Sequence, residues 1–343
     1  MTSGRGAPPP AYEPAAEPSS SNASAPDPPS SMLRGPRRHG TAVAVTSASV
    51  GILAILLMRW NLHLSTNGGF TETTEFGLWT LMVGIQSAIW ILVGSALLSQ
   101  YAVARAAAAA LTGDEALLMR IRRRSVLFAA FIVVALVLPS TAGLMLGLES
   151  QSPLWGHEWK STLITVLGIA SALPGALCLS IYHDLARNDG TWPATHHGRE
   201  TVWFDFVRGR LRTVIALLSL EIALLVFVNS LLRRALTASS AGALPSELVL
   251  AYAGLFSAVL VGTFMYVRAP LQARAEQLVN SMSRIPGGGA PSELAGAFSL
   301  RSQLRSYFAL DRSLRGDLEE VGLVALPLLT ALFSETAGIS LGG

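Results

Sequence analysis

The stretch TVIALLSLEIALLVFVNSLL, residues 213–232, decides the fold because it is long and apolar enough to cross a membrane. Thirteen of its twenty residues are Leu, Ile, Val or Phe. At roughly −0.3 to −0.6 kcal/mol each they contribute about −5 kcal/mol to insertion, against about +2.5 to +3.5 kcal/mol for a central charge. Insertion is therefore favourable with Glu221 included. Because an ionised carboxyl without a nearby cation is costly in hydrocarbon, we expect Glu221 to be protonated and hydrogen-bonded.

The composition of the whole chain indicates lipid as its solvent. Of 343 residues, 51% are apolar and 14% charged, whereas soluble domains carry about a quarter charged residues. The net charge of +3 is small and dispersed, which argues against a nucleic-acid partner. One cysteine, Cys178, cannot form an intrachain disulfide or a thiolate metal site. Arginine outnumbers lysine 24 to 1, a bias that favours a high-GC bacterial genome.

Further apolar runs of spanning length predict a polytopic helical bundle. About twenty residues at 1.5 Å rise cross a hydrocarbon core of roughly 30 Å, and helices satisfy their own backbone hydrogen bonds there. The predicted fold class is therefore all-α, an integral membrane protein with six to seven transmembrane helices. The first six are expected at 42–58, 77–98, 126–147, 161–182, 213–232 and 248–267.

The remaining segments complete the predicted domain organisation. Residues 1–40 are rich in Pro, Ser and Ala and are expected to be a disordered cytoplasmic tail before the bundle at 41–268. Residues 269–320 are expected to be cytoplasmic and helical, with stretches at 271–284 and 292–315 around a Gly-rich linker. The last segment, 321–343, contains Pro327 and Glu335, so a seventh crossing and a re-entrant segment remain alternatives.

Charge distribution predicts the topology. Counted by connection, alternate sides of the membrane hold 21 and 4 of the 25 basic residues. The positive-inside rule then places the N-terminus in the cytoplasm, with the plasma membrane as the expected location. Four tryptophans near the outer ends of the first four runs fit the same orientation: Trp60, Trp79, Trp155 and Trp159.

Glu221 is the first candidate for function, since ionisable residues inside spans mark ion, proton or substrate sites by default. Gln86 and Ser171 lie near the middle of their runs and are expected at a similar depth. The alternative interpretation is structural: a protonated Glu221 and Gln86 simply hold helices together through hydrogen bonds.

Helix breaks and small residues supply further candidates. Pro139 and Pro174 are expected to kink their helices and free backbone carbonyls, as in transporter sites, although prolines are also ordinary in membrane helices. Gly254, Ala258 and Gly262 recur every four residues and predict a helix-packing face. That face would serve the bundle or, alternatively, a homo-oligomer.

The sequence supplies no positive case for an enzyme. The connection at 183–212 carries His196, His197 and Glu200, but their spacing is not that of a zinc helix, and we predict neither metal nor cofactor. The preferred hypothesis is a non-enzymatic sensor, scaffold or accessory protein whose cytoplasmic helices contact lipid or a protein partner. The competing hypothesis is a proton-coupled or small-solute transporter that uses Glu221. An enzyme at the membrane surface is a third class.

Overall fold

A computed structural model describes residues 40–65, 68–112, 156–187, 197–239, 246–283, 291–308 and 325–340, with a few single residues between them. All regular elements in these ranges are helical. A short 3-10 turn follows the first helix. The α-helices are α1 (Gly40–Arg59), α2 (Gly68–Thr71), α3 (Thr74–Thr112), α4 (His157–Arg187), α5 (His197–Ala238), α6 (Ser246–Met282), α7 (Pro291–Tyr307) and α8 (Leu326–Ser340).

Five of these helices are long and apolar enough to cross a membrane, and their outer surfaces are apolar too. On α1, the side chains of Val45, Ile52, Leu53 and Leu56 are each more than half exposed. A continuous exposed apolar surface of this kind marks contact with lipid or a partner rather than with water. The chain is therefore an α-helical membrane protein, which confirms the predicted class.

The exact number of crossings stays a prediction. The candidate spans are Gly40–Leu64, Thr74–Ala109, His157–Arg187, Thr201–Ala238 and Val249–Met282. The predicted run at 126–147 lies almost wholly outside the described residues. The segment predicted to be disordered, 1–40, also lies outside them except for Gly40, which begins α1. The last run corresponds to α8, whose 15 residues measure about 22 Å, less than a full crossing of about 30 Å.

Helix α3 is central, because it packs against α1, α4 and α5. Its approach to α1 depends on small residues. A Cβ added at Gly84 would lie 2.8 Å from the carbonyl oxygen of Gly51. Beside this contact the Ser47 hydroxyl donates to the carbonyl of Ala88 at 2.6 Å. Close backbone approach of this kind lets van der Waals contacts and hydrogen bonds associate helices in lipid.

One end of the bundle, called the tryptophan end, is built from the C-terminus of α1 and the N-termini of α3 and α4. The rings of Trp60 and Trp159 meet edge to face at 6.0 Å, and Trp79 lies 6.3 Å from the His157 ring. Between them Lys160 is fully buried. Three of the four tryptophans predicted to share one side thus lie at one end; Trp155 is outside the described residues.

The opposite end, called the arginine end, consists of the N-terminal part of α5, with Arg208, Arg210 and Arg212, and the part of α6 that follows Arg268. Helix α5 has 42 residues, or about 63 Å, roughly twice the hydrocarbon thickness. Helix α6 likewise continues without interruption through the predicted boundary at 268 and ends at Met282. The same hydrophobic core runs along these extensions, from Leu97 at one level to Phe204 and Leu278 at another.

Helix α7 docks on these extensions through its C-terminal turn. Phe308, which follows α7, is 3% exposed and meets the ring of Phe204 edge to face at 4.9 Å. Next to it the Tyr307 hydroxyl donates to the carboxylate of Asp205. Since α7 ends at Tyr307, the helix predicted over 292–315 is shorter in the described residues.

Helix α8 packs against α5 and α6, with Leu329, Leu332 and Phe333 exposed on its other side. Its Ala331 is fully buried and belongs to one cluster with Val226, Val249 and Ala253. Val226 lies only five residues from Glu221 along α5. Part of α8 therefore reaches the depth of the predicted membrane centre.

Candidate functional site

The predicted carboxyl candidate lies where α3, α4 and α5 meet. Glu221 is 5% exposed. The indole nitrogen of Trp90, on α3, donates to the backbone carbonyl of Glu221 at 3.3 Å. The hydroxyl of Ser171, on α4, lies beside the Glu221 carboxyl. Of the three polar candidates taken from the sequence, the fold therefore brings Glu221 and Ser171 together.

The hydrogen-bond roles at this junction follow from the donors present. The Ser171 hydroxyl already donates to the carbonyl of Gly168 at 2.8 Å. A hydroxyl has one proton to give and further lone pairs to accept with. The Ser171 proton is therefore used within α4, and the protonation of Glu221 stays a prediction.

The third candidate, Gln86, is buried on α3 one helical turn before Trp90, with 1% of its surface exposed. Its amide nitrogen has no hydrogen-bond partner in the described part of the chain, and neither does Oε1 of Glu221. Gln86 and Glu221 are therefore not sealed against each other by a hydrogen bond. Two polar groups at one level of the bundle retain unused hydrogen-bonding capacity.

Glycines make the close packing at this junction possible. A Cβ on Gly94 would lie 3.0 Å from the Cα of Ser171, and a Cβ on Gly168 would lie 2.8 Å from the Trp90 ring. Real side chains at either position would push α3 and α4 apart. The indole of Trp90 would then lose its place against Glu221.

Only one of the two predicted helix breaks, Pro174, lies in the described part of the chain. Helix α4 continues through Pro174 as one helix from His157 to Arg187. Proline lacks an N–H, so the carbonyl of Ala170 loses its usual helical partner, but the helix does not end there. Whether Pro174 bends the pathway of a solute stays a prediction. Pro139 lies outside the described residues.

The predicted small-residue face of α6 points away from the described helices. Ala258 and Gly262 are exposed and Gly254 is partly exposed. A Cβ at Gly254 or Gly262 would meet no atom within 4 Å. Packing by this face inside the bundle or between copies stays a prediction.

The connection predicted at 183–212 begins inside α4, whose His183 is part of it. His183 bonds through Nδ1 to the carbonyl of Tyr266 at 2.8 Å, and its ring stacks on that of Tyr266 at 3.8 Å. His183 thus joins α4 to α6. Among the described residues no group of three or more His, Cys, Asp or Glu could hold a metal ion. His196 and the side chains of His197 and Glu200 are outside them.

Sequence reasoning missed several residues that build the site. Trp90 could have been identified from the sequence, since an indole N–H in the middle of a span requires an acceptor. The contact between α1 and α3 also has a sequence pattern. Ser47 and Gly51, and likewise Gly84 and Ala88, are small residues four apart, like the face predicted on α6. Nothing in the spacing shows which of these faces is used, since that depends on which helices are neighbours.

Comparison of the chain with protein-family models, with curated proteins and with solved structures finds no match.

Proposed function

We propose that the chain is a non-enzymatic, multi-pass sensor, scaffold or accessory protein of a bacterial plasma membrane that binds a cytoplasmic protein. In this proposal six helices cross the bilayer, or seven if α8 does, and the N-terminus and the arginine end are cytoplasmic. The distribution of basic residues, 21 against 4 on alternate sides, supports that orientation.

The single observation that carries the proposal is the packed helical layer at the arginine end. Connections between spans need only short loops, yet here α5 and α6 continue as helices and share a core with Phe308. That core holds only the last turn of α7 in place. The middle of α7 presents Phe298 and Leu300, whose side chains are 57% and 43% exposed, on a fixed support.

The depth of this surface favours a protein partner over lipid. Arg268 is the first charged residue of α6 after its apolar run, and Arg301 of α7 donates to Asn280 of α6 at 2.9 Å. Twelve residues separate Arg268 from Asn280, or about 18 Å, and about 17 Å for a helix tilted by 20°. The headgroup layer on one side is only about 5–8 Å thick. Phe298 therefore lies beyond it, in the aqueous phase.

Site-specific photo-crosslinking tests this proposal. A benzophenone amino acid replaces Phe298, and the matched control replaces Leu56, which is 59% exposed on the lipid-facing side of α1. We expect a discrete adduct with a soluble protein at position 298 and none at position 56. In a separate pull-down from detergent extracts, the same soluble protein should be recovered with the native chain and lost when residues 291–315 are deleted. Crosslinks to lipid alone at position 298 would contradict the proposal.

A second candidate function, a proton-coupled or small-solute transporter, is favoured by the junction around Glu221. A buried carboxyl with an unused oxygen is an expensive feature for a purely structural helix contact. Glu221→Gln keeps the shape and the hydrogen bonds while it removes titration. In proteoliposomes, loss of proton-linked flux in Glu221→Gln, with flux retained in Ser219→Ala, would support transport. Equal flux in both would refute this candidate.

An interface between copies is a further part of the proposal. The exposed small-residue face of α6, with Ala258 and Gly262, is suited to close helix approach. Gly262→Leu should then reduce the oligomer measured in nanodiscs. An unchanged mass would remove this part of the proposal.

A further inference from the structure

One face of α4 leads from the depth of Glu221 to the arginine end. Ser171, Gly175, Cys178 and Tyr182 recur at intervals of three or four residues, and all four are buried. Residues at this spacing lie above one another on one helix face. The eleven residues from Ser171 to Tyr182 rise about 16 Å, so the face connects the junction at Glu221 with the level of the first arginines.

Orphaned polar atoms mark both ends of this face. Neither Oε1 of Glu221 nor the hydroxyl of Tyr182 has a hydrogen-bond partner in the described part of the chain. Next to Tyr182, the guanidinium of Arg210 donates to the side chain of Gln100 at 3.1 Å. Buried polar atoms without protein partners commonly bond to internal water. Both ends of the face are therefore suited to water.

Between the two ends lies an apolar constriction. A Cβ added at Gly175 would lie 3.1 Å from Cδ2 of Leu218 on α5 and 3.2 Å from Cδ1 of Leu97 on α3. Leu97 is fully buried and Leu218 is 8% exposed. The glycine lets both leucines close against the α4 backbone. Hydrophobic constrictions of this kind gate pathways in membrane proteins by excluding water.

We propose that Glu221 is a proton-exchange site that reaches water from the arginine end, past Tyr182, and that Leu97 and Leu218 form its gate over Gly175. When the gate opens, the neutral carboxyl gives its proton to water, which leaves a carboxylate and a hydronium ion, and the reverse step restores it. The proposal rests on the second candidate function and adds the side of access and the gate.

The scarcity of charged residues in the apolar runs explains why the gate would control the protonation of Glu221. Apart from Glu221, the only Lys, Arg, His, Asp or Glu in the seven apolar runs is Glu335 in the last one. No basic side chain from α3, α4, α5 or α6 is therefore available inside those runs to stabilise the carboxylate. While the gate is closed the protonated form is held, because an ionised carboxyl in a low-dielectric site is unfavourable.

Thiol labelling tests the side of access and the gate independently of transport. The native cysteine is removed by Cys178→Ala, and Glu221→Cys then provides one thiol at the site. A thiol-reactive thiosulfonate that carries a charged sulfonate group, and therefore does not cross membranes, is applied to right-side-out and to inside-out vesicles. A separate Ser299→Cys variant, at an exposed residue of α7, reports which face carries the arginine end.

We expect slow labelling at position 221 with the gate intact. Leu97→Ala and Leu218→Ala should each accelerate labelling by about tenfold, and only from the face on which Ser299→Cys reacts. Gly175→Ala, which fills the space between the leucines, should slow it further. The matched control is Leu231→Ala, which truncates a buried leucine on the tryptophan side of Glu221 and should leave the rate unchanged.

Two results would overturn the inference. One is labelling from the tryptophan face, and the other is acceleration by Leu231→Ala equal to that by Leu218→Ala in variants that remain monodisperse. Proteoliposome flux is a separate readout: flux that needs Glu221, combined with labelling from the tryptophan face, refutes the gate and keeps the transporter. Absence of flux together with gated labelling refutes the transporter and keeps the access route.

Discussion

Lys160→Met should destabilise the bundle because Lys160 caps the C-terminus of α1 from a neighbouring helix. The ammonium of Lys160 donates to the carbonyl of Trp60 at 2.8 Å and approaches that of Met58 at 3.5 Å. The last carbonyls of a helix have no intrahelical partner and carry the negative end of its dipole. Methionine keeps the length and apolar stem of the side chain and removes only the charge and the donors.

The expected cost can be estimated from these contacts. A hydrogen bond to a charged group contributes about 1.5–3 kcal/mol. The methionine avoids the desolvation of a buried ammonium, which offsets part of this loss. We therefore expect a net loss of about 1–2 kcal/mol in the free energy of unfolding. At roughly 2–4 °C per kcal/mol for a chain of this order of size, the midpoint should fall by about 2–8 °C.

Thermal unfolding in one detergent, followed by circular dichroism and by light scattering, measures the effect. Glu158→Gln is the matched control. It removes the charge of an exposed side chain two residues before Lys160 and should shift the midpoint by less than about 1 °C. Lys160→Arg should lie between Lys160→Met and the native chain, because the larger guanidinium does not fit the same buried position. A Lys160→Met protein as stable as the native one would refute the capping role.

Other predictions test the contact between α1 and α3 and the docking of α7. Gly84→Ala should lower stability by about 1–3 kcal/mol through overpacking, because its Cβ would lie 2.8 Å from the Gly51 carbonyl oxygen. Gly254→Ala, with nothing within 4 Å, should be neutral. Equal effects of the two changes in a denaturation assay would contradict the close contact between α1 and α3 at Gly84. The hydrogen bond to Asp205 holds the pKa of Tyr307 above its ordinary value of 10.0, so Asp205→Asn should lower the midpoint of the Tyr307 titration, followed by difference absorbance against Tyr307→Phe. Because that pKa is raised on folding, the contribution to docking is complete below pH 10 and is lost as the pH rises through the folded pKa; docking that persists through this range would contradict it.

The membrane class and most helix positions could be predicted because hydrophobic length alone reports them. The run at 213–232 carries enough apolar area to outweigh Glu221, and its helix is present in α5. What could not be predicted is how far helices continue past the apolar runs. Residues 268–282 were predicted to be a separate segment because the composition changes at Arg268. A helix can continue through such a change when one of its faces stays buried, and here Leu278 and Val279 are buried.

The candidate site was partly predictable for a similar reason. Depth follows from position within each run, so Glu221 and Ser171 could be placed at one level. Contact depends on rotation about the helix axes and on which helices are neighbours, and a single sequence does not contain that information. Gln86 therefore shares the depth of Glu221 without a hydrogen bond between them, and Trp90, one turn away, makes the contact to α5 instead.

The unbroken course of α5 has a mechanical consequence. Seventeen residues separate Glu221 from Phe204, so the helix is a lever arm of about 26 Å between the bilayer centre and the ring that holds Phe308. Pivoting that arm by about 5° at Glu221 would displace its far tip by about 2 Å, comparable to the shifts that repack subunit contacts in switching proteins. A small rearrangement among Ser171, Trp90 and Glu221 would thereby be magnified into a movement that the protein partner proposed above could detect.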